Sequence, residues 1–391
     1  MMHEKFRGAA LFAHGGGPTP VINASLAGAV AEALRHDCIA SIHGALEGMK
    51  GLLDEQFIDL AHLPEGTLRA MANAPGSALG SSRLPMDEER FARLLAIIRR
   101  HEIRYFFYTG GNGSMGTAMQ LARLAEADGL ALRVVGIPKT IDNDIAVTDH
   151  TPGYPSAARF FALAVRDVGE DNRGLPSPVM VIEVLGRNAG WIAAATALAR
   201  HREDDSPHLI YLPEVPLQRD RLLADVGRVY RRHGRVLVVV CEGQRDETGA
   251  FFGNPDPAME KGVRDQLPGN LGHMVAKAIW SGLGVRARSE KPGLVGRSFS
   301  LSVPEVDRKD AWNCGESAVR AAVDGHSGVM VGLRRVEGAI SETFLIPLPE
   351  VAYIERTFPK EWMGPNGEGV TQDFLDYAGP LVGPIPPLPR L

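Results

Sequence analysis

Short apolar, β-branched and aromatic runs recur along the chain, each closed by a glycine-bearing turn and followed by residues whose apolar positions have helical spacing. The runs predict strands over Ala9–Ala13, Arg104–Thr109, Arg133–Ile137, Val179–Val184, Leu209–Leu212, Val236–Cys241 and Val329–Leu333. Helical spacing predicts helices over Val21–Leu34, Met115–Ala125, Asn188–Ala199 and Arg219–Arg232. Strands that alternate with helices predict an α/β fold with largely parallel sheets, because parallel neighbours need a crossover long enough for a helix. No period of solenoid length repeats. From Gly379 onward, Pro380, Pro384, Pro386, Pro387 and Pro389 predict an extended polyproline tail of structural use.

At 391 residues the chain exceeds what one core usually serves, so two lobes are expected. Its 45% hydrophobic and 23% charged residues are those of a soluble globular protein. No apolar run approaches the roughly 18 residues of a membrane span. The amino-terminal MMHEKFRGAALFAH carries no long apolar segment with a cleavage site, which points to the cytoplasm. Cys38, Cys241 and Cys314 are too scattered for a disulfide framework or a metal site, and read as core filler. A formal net charge of −5 argues against a nucleic-acid surface, so phosphate recognition has to be local.

The 44 glycines concentrate where strands end, the edge at which open α/β sheets bind ligands. HGGGPTPVINAS (14–25) follows a strand and precedes a helix; it serves equally as a phosphate cradle or as a plain connector. YTGGNGSMGTAM (108–119) repeats the arrangement, with Ser114 placed to cap the helix or donate to a phosphate oxygen. Neither is a P-loop or a complete dinucleotide turn. GIPKTIDND (136–144) puts Asp142 and Asp144 two apart after an apolar strand, so that one can face a hydroxyl while the other helps hold hydrated magnesium. A loose phosphoryl-transfer transition state needs little more than that base and nearby cations, which Lys139, Arg83 and a metal can supply. The alternative for this run is a capped turn of solvated Asp and Asn. His14 reads as a structural turn residue, Met115 and Met119 as helix packing, and Arg159 as facing water.

With these motifs in this order the sequence resembles the phosphofructokinase family from about Gly8 to at least Leu333. GGGPTPVINAS is similar to the family's first phosphate loop, GSSR to its donor-side arginine turn, GGNGS to its metal and donor loop, PKTIDND to its catalytic loop, and EVLGRNAGW and CEG to its acceptor contacts. The resemblance implies two Rossmann-like lobes with the active site in the cleft between them. The donor lobe would take 1–153 and about 296–345, and the acceptor lobe 154–295 and about 346–391. It implies Asp142 as general base, Thr140 at the transferred phosphate, Lys139 at the phosphate that becomes the leaving group, and Mg2+ at Asn112 and Asp144. Gly17, Arg83, Gly111, Asn112, Gly113 and Ser114 would line the donor; Leu185, Gly186, Arg187, Glu242, Arg288 and Arg297 would touch the acceptor. A homodimer or homotetramer is implied as well.

Four departures from the family's pattern stand out. Asn112 stands where most members have a magnesium-linked aspartate. Lys139 matches members that use pyrophosphate while Gly113 matches those that use ATP, and Thr117, where many ATP users keep Gly, tilts the reading to pyrophosphate. Gly293-Leu294-Val295-Gly296-Arg297 lacks the ring of the family's sugar-phosphate motif. Pro178 replaces an arginine that a neighbouring subunit usually donates. The expected function is magnesium-dependent phosphoryl transfer from pyrophosphate to a sugar hydroxyl, by default that of fructose 6-phosphate. ATP as donor, or a polyol or other sugar phosphate as acceptor, stays open, as does a non-catalytic regulatory homologue. A Rossmann oxidoreductase is disfavoured by the missing G-x-G-x-x-G turn.

Overall fold

The structure, a computed structural model, describes residues 6–64, 66–174, 178–253, 270–338, 340–365 and 369–390. In chain order come β1 (Gly8–His14), α1 (Ile22–Ala33), β2 (Ile39–Ala45), α2 (Gly48–Leu53), β3 (Phe57–Asp59), α3 (Thr67–Ala72), α4 (Glu88–Arg100), β4 (Ile103–Gly110), α5 (Asn112–Ala127) and β5 (Arg133–Pro138). Next are α6 (Tyr154–Gly174), β6 (Val179–Val184), α7 (Trp191–Ala195), β7 (Leu209–Tyr211), α8 (Arg219–His233), β8 (Val236–Cys241), α9 (Leu271–Leu283) and β9 (Ala287–Glu290). The chain closes with α10 (Glu305–Val323), β10 (Val329–Glu337), β11 (Ile340–Pro347) and α11 (Gln372–Val382). These elements form two compact units: the chain up to Tyr154 with Arg297–Arg356, and Pro155–Gly296 with the chain from Thr357.

In the first unit the sheet runs β11-β10-β5-β4-β1-β2-β3, with β10, β5, β4, β1 and β2 mutually parallel and the edge strands β11 and β3 antiparallel to their neighbours. Every residue of β1 is buried, which is why it reads as a continuous apolar run and not an alternating one. Its successive side chains feed two cores. Leu11 joins Phe106, Val134 and residues of α4 and α5 on one face; Phe12 joins Phe107, Val135 and residues of α1 and α10 on the other. Helices α1 and α10 pack backbone to backbone: a Cβ on Gly28 would lie 2.3 Å from Trp312 O, and one on Gly315 would lie 2.0 Å from Ser25 O. The segment 346–356 was expected with the acceptor lobe and belongs here instead, because Ile346, Leu348 and Val351 are buried in the core under α5.

The second unit carries a four-stranded parallel sheet, β7-β8-β6-β9. Expected helix 188–199 is shorter than its pattern: α7 starts at Trp191 and continues as a 3₁₀ turn over Thr196–Ala199. Gly190 N–H is held at 2.9 Å by the Glu214 carboxylate, which keeps 188–190 as a turn. Trp191 is fully buried among Phe358, Trp362, Phe374 and Tyr377. The tail also differs from expectation. It stays helical past Gly379 and Pro380, because Leu381 and Val382 are buried, and extends from Gly383. Arg159, expected to face water, donates to Val382 O at 3.0 Å and Pro384 O at 2.9 Å. Seven residues on, Arg166 donates to Pro386 O, so one face of α6 holds the tail by its carbonyls. None of the three cysteines is in a disulfide, and two of them are buried. No helix among the described residues is long and apolar enough to cross a membrane.

Candidate active site

Three parallel strands, β1, β4 and β5, end side by side, with His14 paired to Thr109 and Gly110 to Pro138. The loops that follow them therefore share one edge of the first unit's sheet. Gly15 N–H donates to Thr109 O at 2.8 Å and Lys139 N–H to Gly110 O at 3.0 Å, which binds the three turns together. A Cβ on Gly15 would stand 2.4 Å from Ser114 Oγ and 2.6 Å from Tyr108 Oη, so only glycine fits. Gly16, at φ 75°, adopts the left-handed region that glycine enters freely.

Helix α5 starts at Asn112 with Gly111 as its N-cap. Its first helical bond is that of Met115 N–H to Gly111 O, which leaves the amides of Asn112, Gly113 and Ser114 at the positive end of the helix. Ser114 is thus not the cap; its side chain is wedged against Gly15 and Gly110. Gly113 is exposed with nothing within 4 Å of a would-be Cβ. Met115 packs its sulfur on Gly136, as expected of core filler. His14 is fully buried and donates or accepts through Nδ1 at Ser77 Oγ, 2.7 Å away. Burial, aided by the Lys139 charge, pulls its pKa down to about 3, so it is a neutral turn residue.

Lys139 is 4% exposed, and its Nζ donates to Gly17 O at 2.7 Å. Burial pulls its ammonium down to about 8, against the opposing pull of Asp142 and Asp144. Arg297 and Arg83 also act on it. Arg83 follows Ser82, which bridges Gly15, and Arg297 Nη1 lies 2.5 Å from the Cβ position of Gly17. Arg297, assigned to the acceptor by resemblance, thus lies beside Gly17 and the Lys139 ammonium. Three basic side chains and a helix N-terminus converge on one loop, which suits a polyanion.

In the turn that follows, Thr140 Oγ1 accepts from Asp142 N–H at 3.1 Å, and Asn143 is buried at φ 54°. Asn112 Nδ2 donates to Asp144 Oδ2 at 2.9 Å. Asn112 Oδ1 and Asp144 Oδ1 are both buried without a hydrogen-bond partner. Burial pushes Asp144 above the usual carboxylate range, helped by the Glu355 charge. Two orphaned oxygens of this kind are what a hard divalent cation takes. Asn112 and Asp144 thus fit magnesium, Asp144 alone bringing charge.

In the second unit, β6 runs into Leu185, Gly186 and Arg187, and β8 into Glu242. Glu242 N–H donates to Val184 O at 3.0 Å, and a Cβ on Gly243 would overlap Arg187 O. The two turns are therefore in contact. Burial raises the Glu242 carboxyl, while Lys291 and Arg187 oppose the shift. Arg288 stands apart from them. It pairs across from Met180, five strand positions from Leu185, or roughly 16 Å at 3.3 Å per residue.

The family model described as Phosphofructokinase matches residues 9–322. The chain belongs to the phosphofructokinase family. Among curated members, it is 40% identical to the pyrophosphate–fructose 6-phosphate 1-phosphotransferase of Rhodospirillum rubrum, over 97% of this chain and 95% of that one. A sulfofructose kinase of Alkalicoccus urumqiensis is 33% identical, over 82% of each. Among solved structures, the pyrophosphate-dependent phosphofructokinase of Marinobacter aquaeolei superposes with a TM-score of 0.87 at 31% identity, covering 98% of this chain and 93% of that one. The motifs had singled out the loops after β1, β4 and β5 and the turns after β6 and β8. They gave no hint of Arg356, whose hydrogen bonds to the carbonyls of Asn143, Thr148 and Asp149 emerge only from the fold.

Proposed function

We propose that this phosphofructokinase transfers a phosphoryl group from pyrophosphate to the 1-hydroxyl of fructose 6-phosphate, with magnesium, releasing orthophosphate. One observation carries the choice of donor: Lys139 is buried at the floor of the first loop, where its ammonium occupies space beside Gly16 and Gly17. A compact, highly charged donor gains from that point charge, whereas a nucleoside would need the room. Relatives of that printed name at 33–40% identity over nearly the whole chain support the same reading.

In this reading the Asp142 carboxylate accepts the hydroxyl proton of the acceptor. The acceptor oxygen forms the new P–O bond as the bridging P–O bond of pyrophosphate breaks, and its electron pair leaves with orthophosphate. Lys139, Arg83 and Arg297 bind the donor's oxygens, and the first-turn amides of α5 orient them. Thr140 keeps Asp142 directed through its backbone amide. Asn112 and Asp144 would hold magnesium, which when bound neutralises the charge spread over the phosphoryl oxygens. Leu185, Gly186, Arg187 and Glu242 would meet the sugar. Arg288, stranded from its own acceptor turns, suits a homo-oligomer in which it serves another copy. Both substrates are multiply charged metabolites, which suits a cytosolic enzyme.

A second acceptor reading, a fructose bearing another group at C6, is favoured by Leu294, which is 64% exposed where the family has a phosphate-binding ring. The deciding experiment assays pyrophosphate and ATP, each against fructose 6-phosphate, 6-sulfofructose and unphosphorylated polyols. Turnover with pyrophosphate and fructose 6-phosphate at the highest kcat/KM is expected. A preference for ATP, or for an acceptor without the 6-phosphate, overturns the corresponding half.

A further inference from the structure

The turn that carries Asp142 and Asp144 is held in an unfavourable backbone shape. Asn143, between them, sits at φ 54°, and Val147 at φ 69°. A β-branched residue in the left-handed region is a true outlier, and such strain persists only where surrounding contacts fix it. Val147 is half exposed, so packing on its own side chain does not fix it. Within the turn, Thr151 N–H donates to Asn143 Oδ1 at 3.1 Å and Thr151 Oγ1 to Thr140 O at 2.9 Å.

The far end of the turn is also tied to β10, with Asp149 N–H donating to Leu333 O at 2.9 Å and Leu333 N–H to Thr148 Oγ1 at 2.9 Å, and a further restraint comes from more than two hundred residues away in sequence. Arg356 N–H donates to Asp144 O at 2.7 Å. Its Nε and Nη2 fork onto Asn143 O at 3.1 and 2.8 Å, and Nη1 reaches Thr148 O at 2.7 Å and Asp149 O at 2.9 Å. One side chain thereby grips both ends of the strained stretch. Its segment is itself anchored: Leu348 and Val351 are buried, Glu355 bridges Ile145, and Tyr353 N–H approaches Asn112 O at 3.4 Å.

We propose that Arg356 is a positioning residue for phosphoryl transfer, holding the 142–148 turn in its strained shape so that Asp142 and Asp144 point in separate directions. This rests on the functional reading above, in which Asp142 takes the proton and Asp144 serves the metal. The guanidinium acts through the carbonyls of Asn143, Thr148 and Asp149 that it binds. Lysine at this position offers one donor centre in place of a planar fork, and so recovers only part of the grip.

The test compares the wild type with R356A and R356K, using pyrophosphate, magnesium and fructose 6-phosphate. R356A is expected to lose 10- to 100-fold in kcat with KM for fructose 6-phosphate unchanged within threefold. R356K should fall between them, and added guanidinium chloride at tens of millimolar should restore part of the R356A rate. Adding V147G, which relieves the strain at an exposed site, should also restore part of it. R356K with the same measurements answers the question if R356A fails to fold. A folded R356A with kcat within twofold of wild type, or a loss shared equally by kcat and KM with no guanidinium rescue, overturns the inference. A wild type inert to these substrates sinks the functional reading and this inference with it, whereas an active wild type beside an equally active R356A sinks this inference alone.

Discussion

The ammonium of Lys139 hydrogen bonds to the carbonyl of Gly17, so the loop after β5 reaches under the loop after β1 and places a buried charge at its floor. Because this charge is desolvated, a small change beside it has a large effect on which donor fits. Lys139→Gly is expected to cut kcat/KM for pyrophosphate at least tenfold while sparing or raising that for ATP. Gly113→Asp should do the opposite to ATP, since the position is open and accepts the side chain without a clash. A tenfold change in relative specificity corresponds to about 1.4 kcal/mol. Equal losses for both donors in Lys139→Gly would make Lys139 a general phosphate clamp.

The same lysine gives the free enzyme a pH dependence. With its pKa pulled down to about 8, Lys139 is cationic below that pH and neutral above it. Donor kcat/KM should therefore fall as pH rises through about 8, and this limb should be absent in Lys139→Gly. Stability moves the other way. The unfolded chain keeps the proton up to 10.5, so the folded state gains stability from this group between about 8 and 10.5. Rate profiles and thermal melts across that range read the two signs separately.

Asp142→Asn keeps the shape of the side chain and its amide's bond to Thr140 but cannot take a proton. Turnover should drop by about 10²- to 10⁴-fold with donor and acceptor affinity nearly intact. Calorimetric binding alongside steady-state rates checks both parts, and a variant with more than half the normal rate would remove Asp142 from the chemistry.

Asn112→Asp adds a second charge next to the orphaned oxygen of Asp144. The concentration of magnesium giving half-maximal rate should fall, with KM for the sugar little changed. Chelation should abolish activity in both proteins. Full turnover in excess chelator would contradict the assignment of Asn112 and Asp144 to the metal.

What the sequence revealed followed local signals. Gly15, Gly111 and the Asp142–Asp144 pair were legible because each comes at the end of a buried parallel strand, and burial on both faces writes itself as an unbroken apolar run. β2, β9 and β11 are exposed on one side or at an edge, and their mixed residues gave no such run. α10 was hidden because it is buried around most of its girth and carries Asp307 and Asp310 inside, where they bind Gly153 N–H and His150. Arg356, Arg159 and Arg166 were invisible for another reason. Their partners are backbone carbonyls far along the chain, and a carbonyl has no residue type to betray it.

The first unit closes late. β5 pairs with β10, which follows it by roughly 190 residues, and Gly28 of α1 waits longer still, roughly 280 residues, for Trp312 of α10 to cover it. At about 5–20 residues per second on the ribosome, this leaves a bare strand edge for on the order of 10–40 s and a naked helix face for on the order of 15–60 s in every round of synthesis. The nascent chain is most open to mispairing during that interval, so chaperone demand should track the translation speed of residues 139–328 more closely than that of any other stretch of the message.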